Sequence, residues 1–344
     1  MSRRAGERRR WRRRAVGLAP VALLLPACGR DEVLPQNVLD PEGPVARQVH
    51  ELATPVFWIA GLVFVLVQAL LIYSVVRFRR RSDADAPVQV HGNAKAEIGW
   101  TIAPAAVLAV VGVLTVGTIV DLDRVPEGED VLRVNVVGRQ WWWHYEYPDH
   151  GVTTANELHI PTNTKVAITL TSDDVIHSFW PPKLAGKVDV IPGRVNHMVI
   201  EASDAGTYYG QCGEFCGISH ANMRLQVIAH PPAEFDRWVR SNARPAALPG
   251  ADQPEAAAGA ALFRQRGCAS CHTVEGYAAG EIGPDLTHFA QRTTFAGAIF
   301  ENNPKNLRRW LRNPPEEKPG SIMPDLDLTE EDITNLIAYL ETLK

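Results

Sequence analysis

Between Glu51 and Arg77 the chain runs for 25 residues without a charge, and between Glu97 and Asp121 for another 23. About 20 apolar residues cross a bilayer, so 52–76 and 98–120 predict two transmembrane helices rather than buried core helices. Arg77, Arg79, Arg80 and Arg81 crowd the end of the first stretch. That places the connecting loop in the cytoplasm, with the N-terminus and everything after Asp121 outside. Beyond Asp121 the period changes. Leu132, Val134 and Val136 alternate with Arg133 and Asn135, and Val166, Ile168 and Leu170 with Lys165, Thr169 and Thr171. Such runs continue to His230 between Pro, Gly and Asp turns, and predict a β-sandwich or Greek-key barrel. A Pro/Ala-rich stretch, 243–258, reads as a linker. Pro245, Pro249 and Pro254 should keep it extended, with a reach of roughly 40 Å at about 3 Å per residue. The remainder reads as helical and ends in an amphipathic segment, 329–343; no internal repeat stands out.

Composition narrows the partners. The hydrophobic share of 46% does not fit a disordered chain. The formal net charge of −4 hides an asymmetry, because the first 27 residues carry eight Arg against one Glu. Without that +7 the remaining body stands at −11, which argues against nucleic acid and suits a basic protein partner. The Arg-rich start leads into an apolar stretch, 15–27, too short to span a bilayer, and ends at Leu25-Pro26-Ala27-Cys28. This resembles a bacterial lipoprotein signal in which Cys28 becomes the lipidated first residue. Pro26 departs from that pattern, and ordinary cleavage or retention as an anchor are the alternatives. Five cysteines, an odd number, do not form a disulfide framework.

The densest chemistry is Cys212-Gly-Glu-Phe-Cys216-Gly-Ile-Ser-His220-Ala-Asn-Met223, with His177 thirty-five residues before Cys212. Two thiolates, two imidazoles and a thioether suit copper. A mononuclear blue-copper centre needs only one Cys; a second, four residues on, lets two thiolates bridge two copper ions with one His on each. The short loop also turns the Glu214 carbonyl inward as a weak ligand. Two nearby cysteines in an oxidising compartment more often form a disulfide, but His220, Met223 and a distant His177 reverse those odds. Apart from His272, the other histidines lack ligand spacing and read as surface or hydrogen-bonded residues.

These residues, with Ile191-Pro192-Gly193-Arg194 and Gly138-Arg-Gln-Trp-Trp-Trp-His-Tyr-Glu-Tyr147, resemble cytochrome c oxidase subunit II over about residues 45–235. The resemblance implies a cupredoxin domain, 121–242, holding the dinuclear copper centre called CuA on His177, Cys212, Glu214, Cys216, His220 and Met223. It implies that the Glu214 side chain helps to bind magnesium at the boundary with subunit I. It also matches Trp141 to the aromatic residue through which electrons enter, although Trp142 and Trp143 neighbour it and an interfacial or core role is the alternative. An exposed position beside the copper loop is expected for Trp141. Glu97 matches a carboxylate at a proton-channel mouth; the alternative is a plain charge favoured by the helix N-terminus.

Cys268-Ala-Ser-Cys271-His272 is the pattern for covalent haem c. The adjoining His argues against a thioredoxin-like pair, and the lack of further cysteines against zinc. Met323, in Gly320-Ser-Ile-Met323-Pro324, is the only methionine after His272 and becomes the sixth ligand, with His288 as the alternative. Gly283-Pro284-Asp285-Leu286 and the closing helix resemble small bacterial c-type cytochromes over about 254–344. The expected fold is two transmembrane helices, a cupredoxin-like β-sandwich and an all-α cytochrome domain, 259–344. A signal segment, 1–27, and an extracytoplasmic segment, 28–51, precede them.

The function this implies is electron delivery in a haem–copper terminal oxidase. Electrons come from a cytochrome c-type donor and go to subunit I, with subunit III as a further partner. The setting is the inner membrane of a bacterium. The chain lacks a multi-helix, His-rich membrane core, so oxygen reduction lies in a partner. A CuA segment of another respiratory enzyme would want a propeller domain, and a copper-delivery lipoprotein would lack His220, Met223 and haem. A quinol oxidase subunit would have lost the copper ligands.

Overall fold

The computed structural model describes residues 34–80, 89 and 91–344; the signal segment, Cys28 and Arg81 lie outside them. Helix α1 spans Pro44–Phe78 and α2 spans Ala94–Leu122. Both overrun the uncharged stretches, because polar turns carrying Arg47 and Glu51, or Lys95 and Glu97, continue the same backbone ladder. Asn93 caps α2: its side chain accepts from the Ala96 N–H at 3.2 Å, and Glu97 accepts from the Asn93 N–H at 3.1 Å. Along both helices apolar side chains such as Phe57, Leu62, Ile102 and Val113 point outward, the surface that lipid covers. The start of α1 is stitched to the next domain. Lys183 Nζ donates to Asp40 and Glu42 at 2.7 and 3.2 Å, and the Ala46 N–H donates to the Leu184 carbonyl. The β-domain therefore sits on the membrane side where α1 begins.

That domain follows the alternation. In β1, Leu132–Arg139, Leu132, Val134 and Val136 are buried while Arg133 faces solvent. In β2, Trp142–Tyr147, Trp143, Tyr145 and Tyr147 point inward. With β3 (Val152–Ala155), β5 (Val166–Ser172) and β8 (Asn196–Ile200) they form one five-stranded sheet, ordered β3-β2-β1-β5-β8. The other sheet runs β4-β10-β9-β6-β7 through β4 (Glu157–Pro161), β6 (His177–Trp180), β7 (Val188–Val190), β9 (Gly206–Cys212) and β10 (Arg224–His230). Two parallel pairs, β1 with β5 and β4 with β10, mark the crossovers of a sandwich rather than a meander. Helix α3, Pro232–Asn242, closes one end, with Trp238 stacked 4.2 Å from the His159 ring.

The C-terminal part is helical, built on α4 (Pro254–Gln265), α5 (Pro304–Arg312), α6 (Pro314–Glu317) and α7 (Glu330–Leu340). Proline opens three of them at positions where its missing N–H costs nothing. Thr329 and Asp332 form a reciprocal cap on α7. Gly259 lets α4 approach α7, since a Cβ there would collide with the Asn335 carbonyl.

The segment expected to be an extended tether is different in the structure. Helix α4 begins at Pro254, and the stretch 243–253 lies along the cytochrome domain rather than spanning free space. His288 Nε2 donates to the Arg244 carbonyl at 2.8 Å, and Ala246 is buried in that domain's core. Direct contact replaces the tether. Glu157, fully buried in the sandwich, takes its hydrogen bonds from the other domain. It accepts from the Thr293 N–H (2.9 Å) and hydroxyl (2.7 Å), and from the Thr294 N–H (2.7 Å) and hydroxyl (2.8 Å). Bonds to a buried charge are worth about 1.5–3 kcal/mol each, and their loss leaves stranded donors. Glu157→Ala is therefore expected to weaken docking by about 3 kcal/mol or more. Thermal unfolding should then resolve two transitions, with protease cuts appearing in 243–253; a single unshifted transition would count against this.

Candidate metal and haem centres

The end of β9 and the start of β10 are closed by the Cys212 N–H donating to the Met223 carbonyl at 2.9 Å. The ten residues between them are thus a loop pinned at its base, and it carries the predicted ligands. Cys212 Sγ and Cys216 Sγ stand 3.8 Å apart, unbonded. His220 Nδ1 is 3.6 Å from Cys216 Sγ, and Met223 Sδ 3.9 Å from it. His177 Nδ1 approaches Cys212 Sγ at 4.0 Å from strand β6, and the Glu214 carbonyl lies 3.2 Å from the same sulfur. All six predicted groups converge, and Cys212, Cys216, Met223 and His177 are buried. The donor set is soft and compact, which fits copper.

Outer contacts aim these groups. The other ring nitrogen of His177 is 2.8 Å from Asp174 Oδ1, which turns Nδ1 toward the thiols. Burial alone would raise the Asp174 pKa, but bonds from His177 and from the Val175 and Gln140 N–H groups outweigh it and hold it low. Gly138 makes room for the imidazole: a Cβ there would sit 2.8 Å from the ring. The hydrogen bond between the two thiols lowers the Cys212 pKa against the effect of burial, with His177 helping, and raises that of Cys216 in return. Thiols bind metal as thiolates, so metal uptake at this pair must release protons.

The three consecutive tryptophans separate by role. Trp143 is core, edge-on to Phe179 and His177. Trp142 is half-buried under the Arg139 guanidinium. Trp141 donates its indole N–H to the Cys216 carbonyl at 3.0 Å, and is only 8% exposed. The expected exposed position is thus corrected: the cytochrome domain covers this ring. Glu214 keeps its carboxylate at the surface, 3.9 Å from Lys187 Nζ, and Glu97 lies far along the chain in the α2 cap.

The second centre is a cavity of about 380 Å³ lined by Cys268, Cys271, His272 and Met323. That is within the size range of cofactor pockets, about 300–1,000 Å³. A short 3-10 turn, Cys268–Ser270, presents the thiols. His272 Nδ1 donates to the Pro284 carbonyl at 2.8 Å, so Nε2 is the nitrogen left for the cavity. Burial lowers its pKa and keeps the ring neutral, as an iron ligand requires. Gly283 is needed there, since a Cβ would meet the imidazole at 2.6 Å. Arg292, also lining the cavity, has a buried Nε without a hydrogen-bond partner among the described residues. An orphaned guanidinium N–H fits a group bearing carboxylates, as haem does. His288, the alternative ligand, is held away by the Arg244 carbonyl. The cavity is completed by the sandwich, through Gln140, Trp141 and Trp142.

Sequence reasoning missed Asp174, Glu157, Arg292 and Lys318. The last is 4% exposed, and burial lowers its pKa to about 7. Glu157 and Lys318 meet their partners only across the fold, so no local pattern announces them, whereas Asp174 lies three residues before His177 and that spacing was the available signal.

Comparison with known proteins covers the same three parts. The family model for the transmembrane domain of cytochrome c oxidase subunit II matches residues 34–116, that for its periplasmic domain 151–230, and that for cytochrome c 256–344. Cytochrome c oxidase subunit 2 of Alkalihalophilus pseudofirmus is 37% identical over 96% of this chain and 97% of its own. The Bacillus subtilis protein of that name is 34% identical over 95% and 96%. Among solved structures, the periplasmic domain of subunit II (CoxB) of Bradyrhizobium japonicum is 33% identical over 35% of this chain and 96% of its own, with a TM-score of 0.33. Full-length similarity, two membrane helices, a copper-fitting thiol loop and a haem-fitting cavity agree, and the chain belongs to the cytochrome c oxidase subunit II family, in the form that carries a C-terminal cytochrome c domain.

Proposed function

We propose that this chain takes electrons from an outside cytochrome c-type donor at its own haem domain, passes them to a dinuclear copper centre, and delivers them to the oxygen-reducing subunit I. One observation carries the reading: the cavity that contains His272 and Met323 is walled by Trp141, whose indole is bonded to the Cys216 carbonyl. His177, Cys212, Cys216, His220, Met223 and the Glu214 carbonyl would hold two copper ions. Cys268 and Cys271 would anchor haem, and His272 and Met323 would hold its iron. When bound, these groups supply one-electron chemistry, and His/Met ligation gives the high potential that transfer needs. The residues around them exclude water, fix ligand tautomers and keep His272 neutral.

The remaining assignments rest on the resemblance to subunit II and, for Cys28, to a lipoprotein signal. The Glu214 carboxylate, at the surface of the copper loop, would share magnesium with subunit I. Glu97, at the Arg-flanked cytoplasmic end of the helical hairpin, would mark the mouth of a proton path in that partner. The chain would sit in a bacterial inner membrane with Cys28 as a lipid anchor and subunit III nearby. Rapid mixing of the intact oxidase with reduced donor tests the relay. Haem c is expected to be reduced first and copper second; copper reduction that leads haem reduction would overturn it.

A further inference from the structure

Where the two domains meet, three consecutive residues of the loop that leads to Met323 grip the copper domain. Lys318 Nζ donates to the Trp141 carbonyl at 2.6 Å and to the Ala296 carbonyl, in its own domain, at 2.7 Å. The Pro319 carbonyl accepts from the Ser219 hydroxyl at 2.5 Å. Ser219 is fully buried and lies in the copper loop between Cys216 and His220. Gly320 then presses on the indole itself: a Cβ there would stand 2.7 Å from Trp141 Cη2 and 2.5 Å from Ile218 Cγ2. Gly297 is equally constrained, since a Cβ would meet the Asn222 carbonyl and Lys318 Nζ, each at 2.6 Å. Both glycines have positive φ, +83° and +84°, so no other residue fits either by backbone or by space.

Lys318 is the unusual member. A buried ammonium is costly, and here two carbonyl oxygens compensate it in place of a carboxylate. A methylene chain and an apolar tip would fill the same space without that cost. The amine contributes direction: it fixes the Trp141 carbonyl and, through Ala296, the Gly297 turn at once. We infer that Lys318 is a positioning residue for electron transfer between the two centres, holding the Met323 loop at Gly320 against the Trp141 ring. Its role rests on the relay proposed above, and deepens it by naming the contact. Electron transfer depends steeply on how closely donor and acceptor atoms meet, so a loop that drifts from the indole slows transfer while both centres stay intact.

The test uses the intact oxidase with haem and copper present. Lys318→Met is expected to leave the copper spectrum and the donor-to-haem step unchanged. It should slow the following haem-to-copper step at least about tenfold, as ångström-scale misplacement does in other reactions. Lys318→Arg, which keeps the charge and the donors, should recover part of the rate. Thermal unfolding run in parallel reports docking. Should Lys318→Met undock the domain, Gly320→Ala provides a second arm, since it displaces the loop without touching a charge, and the same slowing is expected. Wild-type haem-to-copper rates in both variants would overturn the inference while leaving the relay standing. Copper reduction ahead of haem in the wild type would instead remove the relay itself.

Discussion

Replacing Cys268 and Cys271 together with alanine is expected to cut turnover with the native donor by on the order of a hundredfold, while the copper signal survives. The thiols are the attachment points for haem, and Trp141, the other route to copper, is 8% exposed beneath the docked cytochrome domain. A soluble donor cannot replace a domain already held against its target, because docking within one chain supplies effective concentrations in the millimolar range. Oxygen uptake and the electron paramagnetic resonance of the copper, measured on one preparation, decide the matter. An unchanged rate would make the haem a side branch.

The second large effect separates two residues of one loop. Cys216 Sγ has three ligand atoms within 4 Å, from Cys212, His220 and Met223, whereas Met223 Sδ approaches at the edge of the group. Cys216→Ser is expected to abolish the electron shared between two coppers. Met223→Leu should keep it and shift the potential, as loss of a weak axial ligand does. Copper uptake by the wild type should also strengthen as pH rises, because the proton held by Cys216 competes with metal. A signal from one isolated copper in the wild type, or a shared electron in Cys216→Ser, would refute the bridging assignment.

Much of this architecture was legible in the chain because it rests on short-range patterns. Uncharged length gives membrane helices, alternation at Leu132 to Val136 gives a strand, and Cys268 to His272 lie within one turn. What escaped was what depends on the meeting of distant segments. Glu157 looks like an ordinary strand carboxylate until Thr293 and Thr294 surround it. Trp141 looks exposed until the Lys318–Gly320 loop covers it. The prolines of 243–253 read as a stiff spacer because composition carries no information about the His288 side chain waiting to bind the Arg244 carbonyl. Helix starts were missed by a turn or more, since hydrogen bonding does not stop where hydrophobicity does.

The cavity wall shared by Trp141 and Trp142 with His272 has a consequence for how finished chains differ from unfinished ones. Filling that space is expected to add to the contacts already made by Glu157 and Lys318, so haem attachment should strengthen the domain pair rather than create it. Proteolysis in the proline-punctuated surface stretch 243–253 should accordingly slow once haem is attached.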